Sequence, residues 1–425
     1  MKLGITALLL SLMMLVPSQI SFSHDISPSD MEGDIIEMMQ QVNESLVFYY
    51  LSELVKFGPR YTGSENCSKA AGYIYNEFQK MGLWVRYDEW EYAGFKSQNV
   101  VATLNGTSQD NKIFIMSAHY DTYPNSPGAD DDASGVAAVL ASAKIMSQYD
   151  FDHTIKFIAF SGEEVGAYGS FTYAKEAYEK GDNIVAVINI DMVGYADTVK
   201  GGKILRVFET ERARWISSFS TNISKKYMNI IDLSIQPIPN YRGADHQSFL
   251  DYGYDAVFFA HYDGYRWGHS PDDTLEHINH TYQIKATKFF LALMAELANK
   301  PIDLQIIIKT PLEGFVYFFG HPFFPLSMGR FWYAGLRGTT ILLGSTTASV
   351  DVLSKDDIDY IIFCIDNEFI SWDRTPPYEW KIQGKHSPPI GKHRLIVYAY
   401  DINGNIAKDE MDIIIFTLSY QYAPW

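Results

Sequence analysis

The sequence predicts an α/β sandwich followed by an all-β, immunoglobulin-like sandwich. Three observations carry this reading. Short, almost wholly apolar runs alternate with helical stretches through the first 300 or so residues. Helical spacing then stops. About seven short β-rich runs, divided by turn signals, fill the remainder. Apolar runs without polar alternation are what strands covered on both faces require, so helices should lie on each side of a central, mostly parallel sheet.

Taken in order, Met31 to Lys56 has helical spacing and ends near Gly58-Pro59. Lys69 to Met81 is a second helix, closed by Gly82. Leu83 to Tyr92 and Asn99 to Leu104 read as strands. The alternation proper runs strand Lys112 to Ala118, helix Ser134 to Tyr149, strand Thr154 to Phe160, helix Val165 to Lys180 and strand Ile184 to Ile190. It continues with strand Lys203 to Phe208, helix Glu211 to Tyr227, strand Ala256 to Ala260 and helix His280 to Ala298. The later strands are Leu304 to Ile308, Thr339 to Leu343, Ser349 to Leu353, Tyr360 to Ile365, Tyr378 to Ile382, Arg394 to Tyr400 and Met411 to Phe416. Pro376-Pro377 and Asn403-Gly404-Asn405 mark turns between them. The aromatic-dense stretch Phe315 to Tyr333 is read as core or interdomain packing, with a sticky surface as the alternative.

The N-terminus has Lys2, an apolar run from Leu3 to Val16, and small residues at Ser21-Phe22-Ser23. That order describes a secretory signal peptide cleaved after about Ser23, the run being shorter than the ~20 residues of a spanning helix. The expected organisation is therefore a leader at 1–23, an α/β domain at 24–300 and a β domain at 301–425, exported and without stable membrane insertion. A net charge of −17 argues against nucleic-acid binding, which needs clustered Lys and Arg. Cys67 and Cys364 fall in different domains, so neither a disulfide nor a zinc–cysteine site is favoured. Asn-x-Ser/Thr triplets begin at Asn43, Asn66, Asn105, Asn222 and Asn279; they are glycan acceptors where the host has the machinery, though five matches in this length can easily be chance. Nothing in the sequence sets an oligomeric state.

Ligands of α/β sheets gather beyond the carboxyl ends of the strands. His119, Glu163, Glu164 and Asp191 each follow an apolar run. In His119-Tyr120-Asp121 the two polar side chains share a face, so a metal-binding His would have a carboxylate partner. Asp130-Asp131-Asp132 precede a helix between Gly128 and Gly135. Capping uses one carboxylate, whereas three repel one another unless a cation offsets them. In Ser161-Gly162-Glu163-Glu164 one glutamate is suited to a metal and its neighbour to that metal's water; a solvated acidic turn is the plain alternative. Asp191 after a strand is either a cap or a ligand, and Gly268-His269-Ser270-Pro271-Asp272-Asp273-Thr274 supplies a second His. Arg242-Gly243-Ala244-Asp245-His246 is polar enough for a function or for a structural network. Two His and three acids together match oxygen/nitrogen zinc ligation, with Asp131 suited to bridge two metals about 3.5–4 Å apart.

These motifs, in this order from Phe57 to Leu297, resemble the zinc aminopeptidases of metallopeptidase family 28. The resemblance rests on Gly58-Pro59-Arg60 with Gly63-Ser64, His119-Tyr120-Asp121, Gly128 to Gly135, Ser161 to Glu164, Asn189-Ile190-Asp191, Asp245-His246 and His269 to Thr274. It implies a mixed sheet between helices, two Zn2+ ions and peptide substrates. It also implies that His119 and Asp191 hold one ion, Glu164 and His269 the other, and Asp131 bridges them. Glu163 would be general base and acid, with Asp121 supporting the metal site. Carboxypeptidases and glutaminyl cyclases share this fold; Arg242 is a candidate for the cation a carboxypeptidase would need, although a loop arginine is more often structural. Relatives that serve as receptors have lost ligands that are all present here.

Overall fold

The computed structural model describes residues 28–108, 111–210, 212–239, 243–300, 304–326, 339–354, 356–383 and 388–416. The expected leader at 1–23, Arg242 and the part of the aromatic stretch from Ser327 to Tyr333 lie outside them.

The first predicted helix is two: α1 (Pro28–Gln41) and α2 (Glu44–Val55). The break is made by Asn43, whose side chain accepts from Leu46 N and caps the second helix. Helix α3 (Glu65–Lys80) starts four residues earlier than its spacing predicts, because Ser64 caps it through Cys67 N. Strands β1 (Trp84–Tyr92) and β2 (Phe95–Leu104) pair antiparallel. Their two-residue turn, Ala93-Gly94, has both φ values positive, which suits the twist of a tight hairpin.

Then follow β3 (Ile113–His119), α4 (Ala133–Met146), β4 (Thr154–Phe160), α5 (Tyr168–Lys180), β5 (Ile184–Ile190), β6 (Ile204–Glu209), α6 (Arg214–Lys226), α7 (Met228–Ile231), β7 (Ser234–Pro239), α8 (His246–Asp251), β8 (Ala256–His261) and α9 (His280–Ala298). The strands join in the order β1-β2-β4-β3-β5-β8-β6-β7. The four central strands, β4, β3, β5 and β8, are parallel, and antiparallel pairs flank them, so the sheet is mixed. Helices α4 and α9 cover one face, and α5 and α8 the other. Strand β5 is buried along its whole length, as its run Ile-Val-Ala-Val-Ile-Asn-Ile requires. Strand β7 escapes the sequence reading because Pro237 and Pro239 cannot donate to a ladder; it survives as the sheet's edge.

The β-rich part has ten strands among the described residues, where seven are expected. They are β9 (Leu304–Thr310), β10 (Phe315–Phe318), β11 (His321–Pro325), β12 (Thr340–Leu343), β13 (Thr346–Ser354), β14 (Ile358–Ile365), β15 (Glu368–Asp373), β16 (Tyr378–Ile382), β17 (Gly391–Asp401) and β18 (Ile406–Phe416). A sheet ordered β11-β10-β12-β18-β17-β14-β15 faces a smaller one ordered β16-β13-β9. Alternate residues such as Phe363, Leu395, Val397, Ile413, Ile308 and Trp380 fill the space between. The described part of the aromatic stretch is mainly the β10–β11 hairpin, in which Phe315, Val316 and Tyr317 are buried, as a core reading expects. Phe315 does touch Tyr252 of the α/β unit, with ring centroids 5.5 Å apart, but Phe318, Phe319 and Phe323 are exposed.

A buried charge cluster joins the two units. Arg212 Nε donates to Asp255 Oδ1 at 2.8 Å and lies 3.6 Å from Asp409 Oδ1. Asp409 Oδ2 accepts from Ile308 N at 2.7 Å, and Trp215 Nε1 donates to Asp255 Oδ2 at 2.6 Å.

Candidate metal centre

Adjacent parallel strands end at the same edge of the sheet, so the segments after β3, β4, β5 and β8 converge there. This brings together residues up to 150 positions apart in sequence, from His119 to His269. Asp131 occupies the middle. Its Oδ1 lies 3.2 Å from His119 Nε2, and its Oδ2 lies 3.2 Å from His269 Nε2. Asp191 Oδ1 is 3.6 Å from His119 Nε2, and Glu164 Oε2 is 3.1 Å from His269 Nε2. Two three-residue groups result: His119, Asp131 and Asp191, and Asp131, Glu164 and His269, with the chosen ligand atoms of each within 4.8 Å of one another.

The chemistry of these atoms fits cations. His119 Nδ1 lies 3.1 Å from the Asp121 carbonyl, which can only accept, so Nδ1 carries the proton and Nε2 presents a lone pair to the cluster. Among the described residues, His119 Nε2, Asp191 Oδ1 and Glu164 Oε1 are buried without a hydrogen-bond partner. Nitrogen and carboxylate atoms are thus gathered with few partners outside the cluster, an arrangement a bound cation satisfies. The titration directions express the same excess of negative charge. Hydrogen bonds to Asp131 and Glu164 raise His269 to about 11. Burial opposes charge on His119, yet Asp191, Asp121 and Asp131 carry it well above its ordinary value. Burial lifts Glu164 to about 6, with Asp131 adding to the rise and His269 opposing it. Nitrogen and carboxylate ligands without cysteine suit zinc.

The three consecutive aspartates do not act together, which corrects the expectation that a cation offsets all three. Only Asp131 enters the cluster. Asp132 caps α4 through Gly135 N at 2.9 Å and also accepts from Met192 N at 3.0 Å and His119 N at 3.3 Å. It thus ties together the ends of β3 and β5 and the start of α4. A Cβ at residue 135 would lie 2.5 Å from both Asp132 carboxylate oxygens, so Gly135 serves this cap. Asp130 Oδ1 accepts from Gly194 N at 2.7 Å and Ser134 Oγ at 3.0 Å, while its Oδ2 meets His261 Nε2 at 3.0 Å. Asp273 clamps the run from outside, accepting from Asp130 N at 2.8 Å and Asp131 N at 3.1 Å.

Asp121 is fully buried and holds the glutamate loop. Its Oδ1 accepts from Glu163 N and its Oδ2 from Glu164 N, each at 3.3 Å, and Thr62 Oγ1 donates to Oδ2 at 2.6 Å. Asp121 therefore ties down this loop and lies outside both ligand groups. Glu163 is half-buried at this edge. Burial pushes it well above the usual carboxylate range, and Asp191, Asp245 and Glu164 add to the rise against His119. Asp245 is buried near Glu163, and burial lifts it to about 7. His246 packs its ring on Phe258 at 5.6 Å. Thr62 carries no sequence signal, since its partner lies 59 positions away. Arg60 belongs to a motif that points to the family without saying what the residue does. Buried, it donates to the carbonyls of Tyr120 (2.8 Å), Pro127 (2.6 Å) and Gly128 (3.0 Å), fixing the loop between His119 and Asp131.

A mixed α/β sheet with two adjoining nitrogen/carboxylate ligand groups and a neighbouring free glutamate defines a metal-dependent hydrolase. Residues 99–294 match the model of peptidase family M28. A probable zinc metalloprotease of Pyrenophora tritici-repentis is 26% identical over 339 residues, spanning 64% of this chain and 77% of the relative. A probable leucine aminopeptidase of Arthroderma otae is 27% identical over 272 residues, spanning 59% of this chain and 72% of the relative. The fold resembles the crystal structure of the LapA aminopeptidase of Legionella pneumophila, with a TM-score of 0.58 and 21% identity over 64% of this chain and 76% of that one.

Proposed function

We propose that the protein is an exported aminopeptidase that uses two zinc ions to remove N-terminal residues from peptides. The observation that carries this reading is Asp131, whose two carboxylate oxygens each face a different histidine. In this reading His119 and Asp191 hold one ion, Glu164 and His269 the other, and Asp131 both. Zinc there would supply Lewis acidity, polarising the scissile carbonyl and acidifying water. Glu163 takes the proton of the attacking water as its oxygen bonds to the carbonyl carbon. It gives that proton to the leaving nitrogen as the C–N bond breaks. Asp121 keeps Glu163 and Glu164 apart in role by binding a separate backbone amide of each. His119 keeps its ring orientation through the Asp121 carbonyl.

The names of the zinc metalloprotease and leucine aminopeptidase relatives support both the zinc and the choice of the amino end. Residues 1–23 are proposed as a cleaved leader, 24–300 as the peptidase domain and 301–425 as an immunoglobulin-like domain. The test is a comparison of free-amine, N-acetylated and C-amidated peptides with purified full-length protein, before and after chelation and zinc return. Zinc-dependent release of N-terminal residues from free-amine and C-amidated peptides is expected. Cleavage confined to N-acetylated peptides would overturn the aminopeptidase reading. Release of ammonia from an N-terminal glutaminyl peptide, without hydrolysis, would point to cyclase chemistry.

A further inference from the structure

The two histidines of the centre are held in opposite ways. His119 is buried and its Nδ1 is fixed by the Asp121 carbonyl at 3.1 Å. His269 has a side chain 57% exposed, and its backbone sits in the left-handed region at φ 58°. Its Nε2 points to Asp131 and Glu164, but its Nδ1 has no hydrogen-bond partner among the described residues. A histidine ligand ordinarily takes its orientation from a partner on the second nitrogen. Here the ring is held from its face instead. Tyr123 stacks on it with centroids 4.9 Å apart and planes 12° from parallel.

Tyr123 is a suitable plate because its own backbone is tied down. Its carbonyl accepts from Ser126 N and from Thr122 Oγ1, both at 3.1 Å. Thr122 Oγ1 in turn accepts from Arg60 N at 2.8 Å, and the Arg60 side chain grips Tyr120, Pro127 and Gly128 on either side. A rigid chain of contacts thus runs from the buried Arg60 to the exposed ring of Tyr123 and on to His269.

We propose that Tyr123 is a positioning residue for the metal site made by Glu164 and His269, setting the plane of the His269 ring by stacking in place of a hydrogen bond to Nδ1. The inference rests on the two-ion reading above. It assigns no role to the tyrosine hydroxyl, since the contact is between ring faces. Loss of the ring leaves His269 free to rotate about its Cβ–Cγ bond, so only a fraction of its population presents Nε2 to the ion. Removing a group that orients a metal ligand typically costs 10–100-fold in metal affinity, and an exposed stack should fall near the low end, about tenfold.

The experiment measures zinc dissociation constants of the metal-stripped full chain by competition with a chromogenic chelator, for wild type, Tyr123→Ala and Tyr123→Phe. Wild type should bind two ions. Tyr123→Ala should weaken one of them about tenfold and leave the other within twofold. Tyr123→Phe should bind like wild type, because it keeps the stacking face. Thermal unfolding of the metal-free proteins controls for folding, and a 44% exposed residue should shift it little. Equal zinc binding by Tyr123→Ala and wild type would overturn the inference and leave the two-ion reading standing. Equal weakening of both ions, or failure of Tyr123→Phe to restore the weaker one, would also overturn it. Failure of wild type to bind a second ion would instead remove the reading on which it rests.

Discussion

Asp121→Asn tests the geometry of the glutamate loop most directly. The carboxylate accepts three hydrogen bonds, from Thr62 Oγ1 at 2.6 Å and from the amides of Glu163 and Glu164 at 3.3 Å each. Asparagine is nearly the same shape but has one oxygen and one NH2. If the NH2 takes the Oδ1 place, it confronts the Glu163 N–H, donor against donor. If it takes the Oδ2 place, the Thr62 hydroxyl can turn to accept, but the Glu164 N–H loses its partner. Either way one amide is orphaned beside a fully buried side chain, at a cost of about 1–3 kcal/mol. Relaxation of the loop moves Glu163 or Glu164 out of place. If the whole cost falls on the reaction, kcat/KM drops about 5–150-fold, since 1.36 kcal/mol is tenfold. The assay is kcat/KM on an aminoacyl reporter at saturating zinc, with zinc content and thermal unfolding measured on the same samples. Asp121 belongs to neither ligand group in this geometry, so zinc content should match that of wild type. Activity within threefold of wild type would refute the positioning argument. Loss of an ion at saturating zinc would show that Asp121 binds metal itself.

Two further substitutions probe the acid–base group and the junction. Glu163→Gln keeps the size and removes the base, so kcat should fall about 10²–10⁴-fold with zinc binding retained; unchanged turnover in the metal-replete variant would end the assigned role. Asp409→Ala removes the acceptor of Ile308 N and one of the carboxylates facing Arg212, both buried. Breaking a buried ion pair from one side should cost about 3–5 kcal/mol, read by urea unfolding, and a loss below about 1 kcal/mol would show that the two units do not depend on this junction.

The sequence by itself determined strands and helices that are largely buried. Thr154–Phe160, Ile184–Ile190 and His280–Ala298 have the same bounds in both readings because a buried surface imposes its period on the chain. It also determined which side chains to suspect, since His119, Glu163, Glu164 and Asp191 follow strands whose ends are marked by the apolar runs themselves. Local capping chemistry was the first thing it obscured: Asn43 splits one amphipathic stretch into two helices with the same hydrophobic spacing. The division of labour in Asp130-Asp131-Asp132 was decided only in three dimensions. All three are the same residue, and what separates them is which amides lie within reach: Gly194 N for Asp130, Gly135 N, Met192 N and His119 N for Asp132, and none among the described residues for the carboxylate of Asp131, which faces two histidines. Thr62, Arg60 and Tyr123 belong to the tertiary structure in the same way. Their partners come from distant segments, and hydrogen bonding and ring stacking depend on distances that strand order sets and local sequence does not.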